Sequence, residues 1–177
     1  MCRVHQLHGG SLSLAYDNIL ATCTAKKVKR GGGNILHVAS QEDNLFLLDT
    51  VLDILNQATD RGDIVRQTIE ANMHIGLPHS GKTPLLVAAQ GGHPDAVQRL
   101  VTSKADLDAK DQQGSSVLHL AAEHGQARVI EVLLQMDIVG GGAGLANLLM
   151  LTDEEDMSCL HVAAECGKVK VAEMVME

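Results

Sequence analysis

Residues 81–111 read GKTPLLVAAQGGHPDAVQRLVTSKADLDAKD, and 33 residues after Gly81 the same pattern returns in residues 114–134 as GSSVLHLAAEHGQARVIEVLL. A further copy, DMSCLHVAAECGKVKVAEMVM, occupies residues 156–176, nine residues later than that period would place it. A fainter copy, GGNILHVAS, occupies residues 32–40, and sixteen extra residues separate it from the copy at Gly81. A period of this size predicts stacked supersecondary units.

The copy that begins at Gly81 predicts two helices joined by a glycine turn. Thr83 is a good N-cap, and Pro84 stands in the first turn, where its missing N–H has no partner to lose. A Gly-Gly pair ends this helix and Pro94 opens the second one. Polar residues 104–113 predict an extended turn that leads into the next unit. The residues that replace Thr83 in the other copies can also cap a helix, and they are Asn34, Ser116 and Ser158.

The TPLH-like tetrapeptide, the Ala-Ala pair and the following glycine resemble the ankyrin-repeat family over residues 31–177. The resemblance implies an all-α fold, an ankyrin-repeat solenoid of stacked helix-turn-helix units with β-hairpin loops on one side, made irregular by insertions. In the family, the tetrapeptide histidine stabilises the helix start and the neighbouring repeat through hydrogen bonds. That role falls on His37, His119 and His161. In the second unit Leu86 replaces the histidine.

Four units are expected, at 31–80, 81–113, 114–155 and 156–177, with the last one incomplete and its outer apolar face exposed. Residues 44–71 lie beyond the first copy and carry apolar residues at helical spacing, which predicts one extended or two short helices. Residues 135–151 lie beyond the third copy and contain four glycines, which predict a flexible loop followed by an apolar LANLLML turn.

Charge and composition restrict the class of partner. The net charge is −8, but residues 1–30 carry five basic residues and one acidic residue, which leaves −12 for the rest of the chain. An acidic body repels phosphate backbones and attracts basic protein surfaces, so a protein partner is expected and direct nucleic-acid binding is not. The four cysteines lack the density of a disulfide framework and no segment has the length of a membrane span, which predicts an intracellular protein.

Residues 1–30 are expected to form a disordered basic tail. Within it the run KKVKR has the density of a nuclear import signal, although a solvated basic segment beside a glycine-rich linker has the same composition. Both the nucleus and the cytoplasm therefore remain open. The residues of the possible import signal are Lys26, Lys27, Lys29 and Arg30.

Two short patterns in the sequence are similar to enzyme or metal sites, but the repeat explains them better. GLPHSGKT, from Gly76 to Thr83, fits the phosphate-binding pattern G-x-x-x-x-G-K-[ST], but such a loop needs a buried strand before it and a β-α-β context. Cys159, His161 and Cys166 lie close in sequence, but on a helix they would point in different directions. No catalytic, cofactor or metal site is predicted, and nucleotide binding stays a remote alternative.

In the family, partners lie against the hairpin tips and the exposed side of the first helices. The matching positions are candidates for partner binding, and each one alone could equally be solvated surface. They are His79, Ser80, Lys82, Gln90, Gln112, Gln113, Ser115, Glu123, His124, Glu154, Glu155, Met157 and Glu165.

Within the ankyrin family, HSGKTPLLVAA in residues 79–89 and ADLDAKDQQGSSVLHLAAEHG in residues 105–125 are similar to the inhibitor-of-NF-κB proteins, above all to their atypical nuclear branch. The resemblance implies binding to the basic parts of Rel-homology transcription factors and modulation of transcription. A general ankyrin scaffold or adaptor of another pathway is the alternative, because these motifs are widely shared.

Overall fold

The computed structural model describes residues 33–57, 74–140 and 143–176, and this part of the chain contains nine α-helices. None of these helices is long and apolar enough to cross a membrane. Their bounds are α1 Ile35–Gln41, α2 Leu45–Gln57, α3 Pro84–Gly91, α4 Pro94–Thr102, α5 Val117–Glu123, α6 Ala127–Gly140, α7 Ala143–Met150, α8 Cys159–Glu165 and α9 Val169–Met176.

The helices form two parallel rows. The inner row stacks α1, α3, α5 and α8 in that order, and the outer row stacks α2, α4, α6 and α9. Each inner helix also packs against the outer helix that follows it in the chain. The predicted fold class, an all-α solenoid of stacked helix-turn-helix units, is confirmed.

The inner helices begin at residues whose side chains satisfy backbone N–H groups that a helix start leaves without partners. Thr83 Oγ1 accepts from Leu86 N–H at 3.4 Å, and Asn34 Oδ1 accepts from His37 N–H at 3.2 Å. Pro84 and Pro94 are the first residues of α3 and α4, and Gly92 ends α3 with φ +76°. The turn between paired helices is therefore set by local sequence, as its residue types predict.

The core consists of small and aliphatic side chains. An alanine in each inner helix is almost fully buried, which lets the paired helices approach closely; these alanines are Ala39, Ala88, Ala121 and Ala163. Leucines from the inner row and Val97, Leu100, Val129 and Ile130 from the outer row fill the space between the rows. Close packing without aromatic rings explains how a chain with one Phe and no Trp builds a core.

The loops between units are tight turns stacked on one another. Asp111 N–H donates to Ser115 O and Asp153 N–H donates to Met157 O, both at 3.1 Å. Successive turns are joined because Gln112 N–H donates to Ser80 O at 2.9 Å and Glu154 N–H donates to Gln113 O at 3.2 Å. Within the described ranges these hairpin-like turns are too short to form a strand, and an isolated bridge joins Thr152 and Ser158.

The first inserted segment begins later than the sequence predicts. Residues 45–57 form α2, which packs against α1 and α4 and so takes the place of the second helix of the first unit. Leu48, Val51 and Leu52 are buried there because they lie on the side of α2 that faces the core. The predicted insertion 44–71 therefore starts with a regular element of the repeat, and residues 58–73 lie outside the described part of the chain.

The prediction for residues 135–151 was wrong in two respects. Helix α6 continues to Gly140 in place of a flexible loop, and the LANLLM residues belong to α7 in place of a turn. Residues 141–142, which the predicted loop includes, lie outside the described part of the chain. Helix α7 packs against α6 and buries Leu148. Glycine in a helix costs about 1 kcal/mol relative to alanine, but packing of an apolar face contributes more than propensity does.

Candidate protein-interaction surface

The repeat histidines join each helix start to the following unit. His37 Nε2–H donates to Lys82 O and His119 Nε2–H donates to Met157 O, both at 2.9 Å. The other ring nitrogen, Nδ1, accepts from the backbone N–H of Asn34 in the first case and of Ser116 in the second. A ring that donates from Nε2 and accepts at Nδ1 is neutral and carries its proton on Nε2. Burial lowers the pKa of His37, which keeps that ring neutral.

His161 occupies the same place in the fourth unit with a different environment. Its Nδ1 accepts from Ser158 N–H at 3.2 Å, as in the earlier units. Its ring is exposed, and among the described residues Nε2 has no hydrogen-bond partner. His161 therefore stabilises the start of α8 and, within the described residues, joins it to no other unit.

An acidic groove of about 390 Å³ runs between the turns that precede α5 and α8 and the exposed sides of these two helices. Five of its lining residues carry a carboxylate, and among the described residues that line it none is Lys or Arg. The acidic groove is lined by Gln113, Ser115, His119, Glu123, Asp153, Glu154, Glu155, Val162, Glu165 and Cys166. The structure thus brings together six of the thirteen predicted partner-binding residues, namely Gln113, Ser115, Glu123, Glu154, Glu155 and Glu165.

Two aspartates fix the turns that form the rim of the acidic groove. Asp153 Oδ1 accepts from Glu155 N–H and Met157 N–H at 2.9 Å, and Asp111 Oδ1 accepts from Gln113 N–H and Ser115 N–H at the same distance. The Asp153 carboxylate is therefore engaged within its own turn. The exposed carboxylates of Glu154, Glu155, Glu123 and Glu165 are the ones presented to solvent.

A second set of predicted residues forms a polar chain on the neighbouring units. Lys82 Nζ donates to Gln90 Oε1 at 2.9 Å, and Gln90 Nε2 donates to His124 Nε2 at 3.2 Å. His124 Nδ1–H in turn donates to Leu120 O at 3.1 Å, which assigns the opposite tautomer from that of His119. The Lys82 ammonium is thereby held beside Gln90 and does not line the acidic groove. The other end of the polar chain lies next to the groove, because His124 Nδ1 is 3.8 Å from the carboxylate of Glu123.

The remaining predicted residues lie at the turns. His79 and Gln112 are exposed, and Ser80 contributes its carbonyl to the stacking of turns. Met157 is half-buried and contributes backbone groups, since its carbonyl accepts from His119 and its N–H donates to Asp153. The predicted import signal lies outside the described residues.

Sequence reasoning missed Asp111, Asp153, Val162 and Cys166. A signal for the two aspartates exists, because each stands three residues before a residue with positive φ, Gly114 at +74° and Asp156 at +59°. Aspartate at that spacing commonly accepts hydrogen bonds from the turn that follows it. Val162 and Cys166 line the groove only because α8 packs beside α5, which no local pattern indicates.

The segment Gly76–Thr83 has the geometry of an ankyrin turn. Thr83 Oγ1 caps α3, Lys82 Nζ is bonded to Gln90, and the described residues 74–83, which include the segment, form no strand. A phosphate loop would direct the Lys82 ammonium and the Thr83 hydroxyl at a nucleotide and its metal ion. Here both groups form hydrogen bonds within the repeat.

The sequence cluster Cys159, His161 and Cys166 is divided between buried and exposed surroundings. Cys159 is buried, whereas Cys166 and His161 are exposed. Burial also raises the pKa of the Cys159 thiol, which disfavours the thiolate form that binds metals. Across the described ranges no three His, Cys, Asp or Glu side chains are grouped so that they could hold a metal ion.

Comparison with known proteins gives matches to ankyrin repeats and to inhibitors of NF-κB. A family model described as "Ankyrin repeats (3 copies)" matches residues 36–141. NF-kappa-B inhibitor delta of Mus musculus is 45% identical over 60 residues, which are 34% of this chain and 18% of that protein. The B-cell lymphoma 3 protein homolog of Mus musculus is 29% identical over 110 residues, which are 62% of this chain and 22% of that protein.

Similarity extends to bacteria. A putative ankyrin repeat protein of Rickettsia felis is 31% identical over 133 residues, which are 67% of this chain and 33% of that protein. The chain thus spans a third or less of the length of these relatives. Because the family match covers more than half of the chain and the helices stack as its repeats require, the chain belongs to the ankyrin-repeat family, whose members are protein–protein interaction modules.

Proposed function

We propose that this chain binds a protein partner through the acidic groove and that the partner presents a basic segment to it. The observation that carries the proposal is the set of four exposed glutamates, Glu123, Glu154, Glu155 and Glu165, in a groove whose described lining contains no Lys or Arg. Carboxylates held at this density attract Arg and Lys side chains over the range of the Debye length.

The strength of such binding depends on the number of pairs. A single exposed ion pair contributes about 0.2–1 kcal/mol, so one basic residue would give no useful affinity. Four glutamates around one groove allow several pairs at once, and planar guanidinium groups can engage carboxylates with two hydrogen bonds each. A partner segment rich in arginine therefore fits the groove better than an isolated lysine.

For the partner itself we propose a Rel-homology transcription factor, so that the chain would modulate transcription inside the cell, in the nucleus or the cytoplasm. Support comes from the similarity to NF-kappa-B inhibitor delta and to the B-cell lymphoma 3 protein homolog, together with the acidic character of the groove. These relatives extend far beyond the stretch that they share with this chain, so their activities are a guide to the partner and not a property of the chain.

The experiment is a calorimetric titration of the folded chain with a Rel-homology dimer at two salt concentrations. Saturable binding is expected, with an affinity that falls several-fold between about 0.05 M and 0.3 M salt because exposed charge pairs are screened. Saturable binding whose affinity does not change with salt would contradict recognition by the acidic groove.

A general ankyrin scaffold is the second candidate, and the wide occurrence of similar sequences favours it. The putative ankyrin repeat protein of Rickettsia felis covers more of this chain than NF-kappa-B inhibitor delta does, at lower identity. A chain that shows native helical content and yet leaves a Rel-homology dimer unbound would favour this candidate.

A further inference from the structure

Lys82 is a cation that the repeat holds beside a neutral partner. It is half-buried, and its Nζ donates to Gln90 Oε1 at 2.9 Å. Among the described residues no carboxylate oxygen lies within 4.0 Å of Nζ, because the ion pairs there join other side chains. An ammonium has three N–H donors, and Gln90 takes one of them. Lys82 therefore keeps the capacity to bind a carboxylate, which accepts a stronger hydrogen bond than a neutral amide does.

The charge at two repeat positions changes sign along the stack. These positions are the residue before the N-cap and the seventh residue of the inner helix. In the second unit they hold a cation and a neutral amide, whereas in the third and fourth units they hold a neutral residue and a carboxylate. We name these residues the charged strip, and they are Lys82 with Gln90, Ser115 with Glu123, and Met157 with Glu165.

Gln90 connects the positive end of the charged strip to its negative part. Its Oε1 accepts from Lys82, and its Nε2 donates to His124 Nε2 at 3.2 Å. His124 Nδ1 lies 3.8 Å from Glu123 Oε2, and Glu123 lines the acidic groove. Side chains that are already held in this way lose less conformational freedom when a partner binds. The strip thus presents a positive and a negative site about one unit apart, which is about 10 Å for stacked helices.

We propose that the partner that places a basic segment in the acidic groove also presents a carboxylate to Lys82, and that this second contact fixes its direction along the stack. The inference rests on the proposed function. The carboxylate accepts a hydrogen bond from Lys82 Nζ while arginines of the same segment pair with Glu123 and the other groove glutamates. A wholly basic segment that ran from the groove toward the second unit would meet like charge at Lys82, which disfavours it.

The distance between the two sites determines which partner segment fits. A step of about 10 Å corresponds to about three residues of extended chain, or to about seven residues of a helix, which is two turns. The partner therefore carries Asp or Glu at one of these spacings from its arginines.

The test uses two synthetic peptides that differ in one residue. Each has a run of arginines, a glycine-serine spacer of about three residues and then either Glu or Gln, with both termini blocked so that no other carboxylate is present. Their affinities for the full chain are measured by fluorescence anisotropy at about 0.05 M salt. Attraction to overall negative charge favours the Gln peptide, because it is the more positive one. We expect the Glu peptide to bind about threefold more tightly, as one additional exposed ion pair allows.

Lys82→Gln removes the cation and keeps the backbone carbonyl to which His37 donates. On this variant we expect the Gln peptide to bind at least as tightly as the Glu peptide. Lys170→Gln is the matched control, because it makes the same change in net charge at an exposed position of α9 that does not line the groove. This control is expected to keep the preference of the wild type for the Glu peptide.

The outcomes separate this inference from the proposed function. If neither peptide binds the wild-type chain, recognition of basic segments by the groove fails and the contact with Lys82 fails with it. If both peptides bind but the wild type does not prefer the Glu peptide, or if Lys82→Gln keeps that preference, the groove still binds basic segments and the contact with Lys82 is overturned. The comparison of peptides on the wild type needs no substitution in the protein, so a folding defect in Lys82→Gln could not hide the result.

Discussion

Ser40 lies in α1 at a position where the second and third units have alanine. Its side chain is 0% exposed, and its Oγ has no hydrogen-bond partner among the described residues. Ala89 and Ala122, at the equivalent positions, are also 0% exposed, so the site holds a methyl group without strain. A buried hydroxyl without a partner costs free energy of folding that alanine avoids.

We therefore predict that Ser40→Ala raises the free energy of unfolding by about 1 kcal/mol, measured by urea denaturation. Ser116→Ala is the control, because Ser116 is equally buried but its Oγ lies 2.7 Å from His119 Nδ1. Loss of a helix-capping serine lowers stability by about 0.5–2 kcal/mol. A lower stability for Ser40→Ala would show that its hydroxyl does have a partner.

Single residues could be predicted from sequence where their partners are close along the chain. Thr83 caps a helix through the N–H of Leu86, three residues away, and residue type alone indicates this. Besides Lys82, Gln90 bonds to His124, which is 34 residues away and meets it only when two units stack. No pattern within one unit predicts such a bond, so the sequence indicates Gln90 and His124 as surface residues and not as neighbours.

At the scale of elements, the turns between units pack against each other through glycine. Gly114 has φ +74°, and a Cβ added there would lie 2.8 Å from Glu154 N in the next turn. Gly167 has φ +65°, but a Cβ added there would have nothing within 4 Å. The two glycines share a backbone requirement and differ in whether a second element lies close.

Substitution of these two glycines separates the cost of backbone strain from the cost of disturbing the contact between turns. Gly167→Ala is expected to lower the free energy of unfolding by about 1 kcal/mol because alanine is strained at positive φ. Gly114→Ala carries the same strain and must also push the Glu154 turn away, so we predict a loss at least about 1 kcal/mol larger. Chemical denaturation of both variants measures the difference. Equal losses would mean that the turns do not pack as tightly as the distance of 2.8 Å implies.

Elements with strong local signals were predictable, and those that depend on packing were not. Capping residues and prolines indicate α3 and α4 directly. Helix α7 lacks such signals and follows a glycine-rich stretch, so its sequence resembles a loop until α6 provides a surface against which Leu148 is buried. The helical character of residues 44–71 could be predicted from sequence, but the start of the insertion could not. Helix α2 lies inside that range and yet serves as the second helix of the first unit.

Over the whole molecule, charge is distributed unevenly along the stack. Lys82 and its polar chain lie on the second and third units, and the exposed glutamates of the acidic groove lie on the third and fourth. The net charge of −8 would allow an acidic surface anywhere, and only the stacking of α8 beside α5 gathers these carboxylates around one groove. The proposed recognition of a basic partner therefore depends on the arrangement of units more than on composition.

The central claim is that the acidic groove, and not overall charge, binds the partner. The direct measurement is the affinity for a Rel-homology dimer of two triple variants, Glu154→Gln/Glu155→Gln/Glu165→Gln in the groove and Glu42→Gln/Glu131→Gln/Glu173→Gln on exposed positions elsewhere. Both change the net charge by the same amount. We predict that the groove variant binds about tenfold more weakly and that the control variant binds like the wild type. Equal affinities for the two variants would contradict the claim.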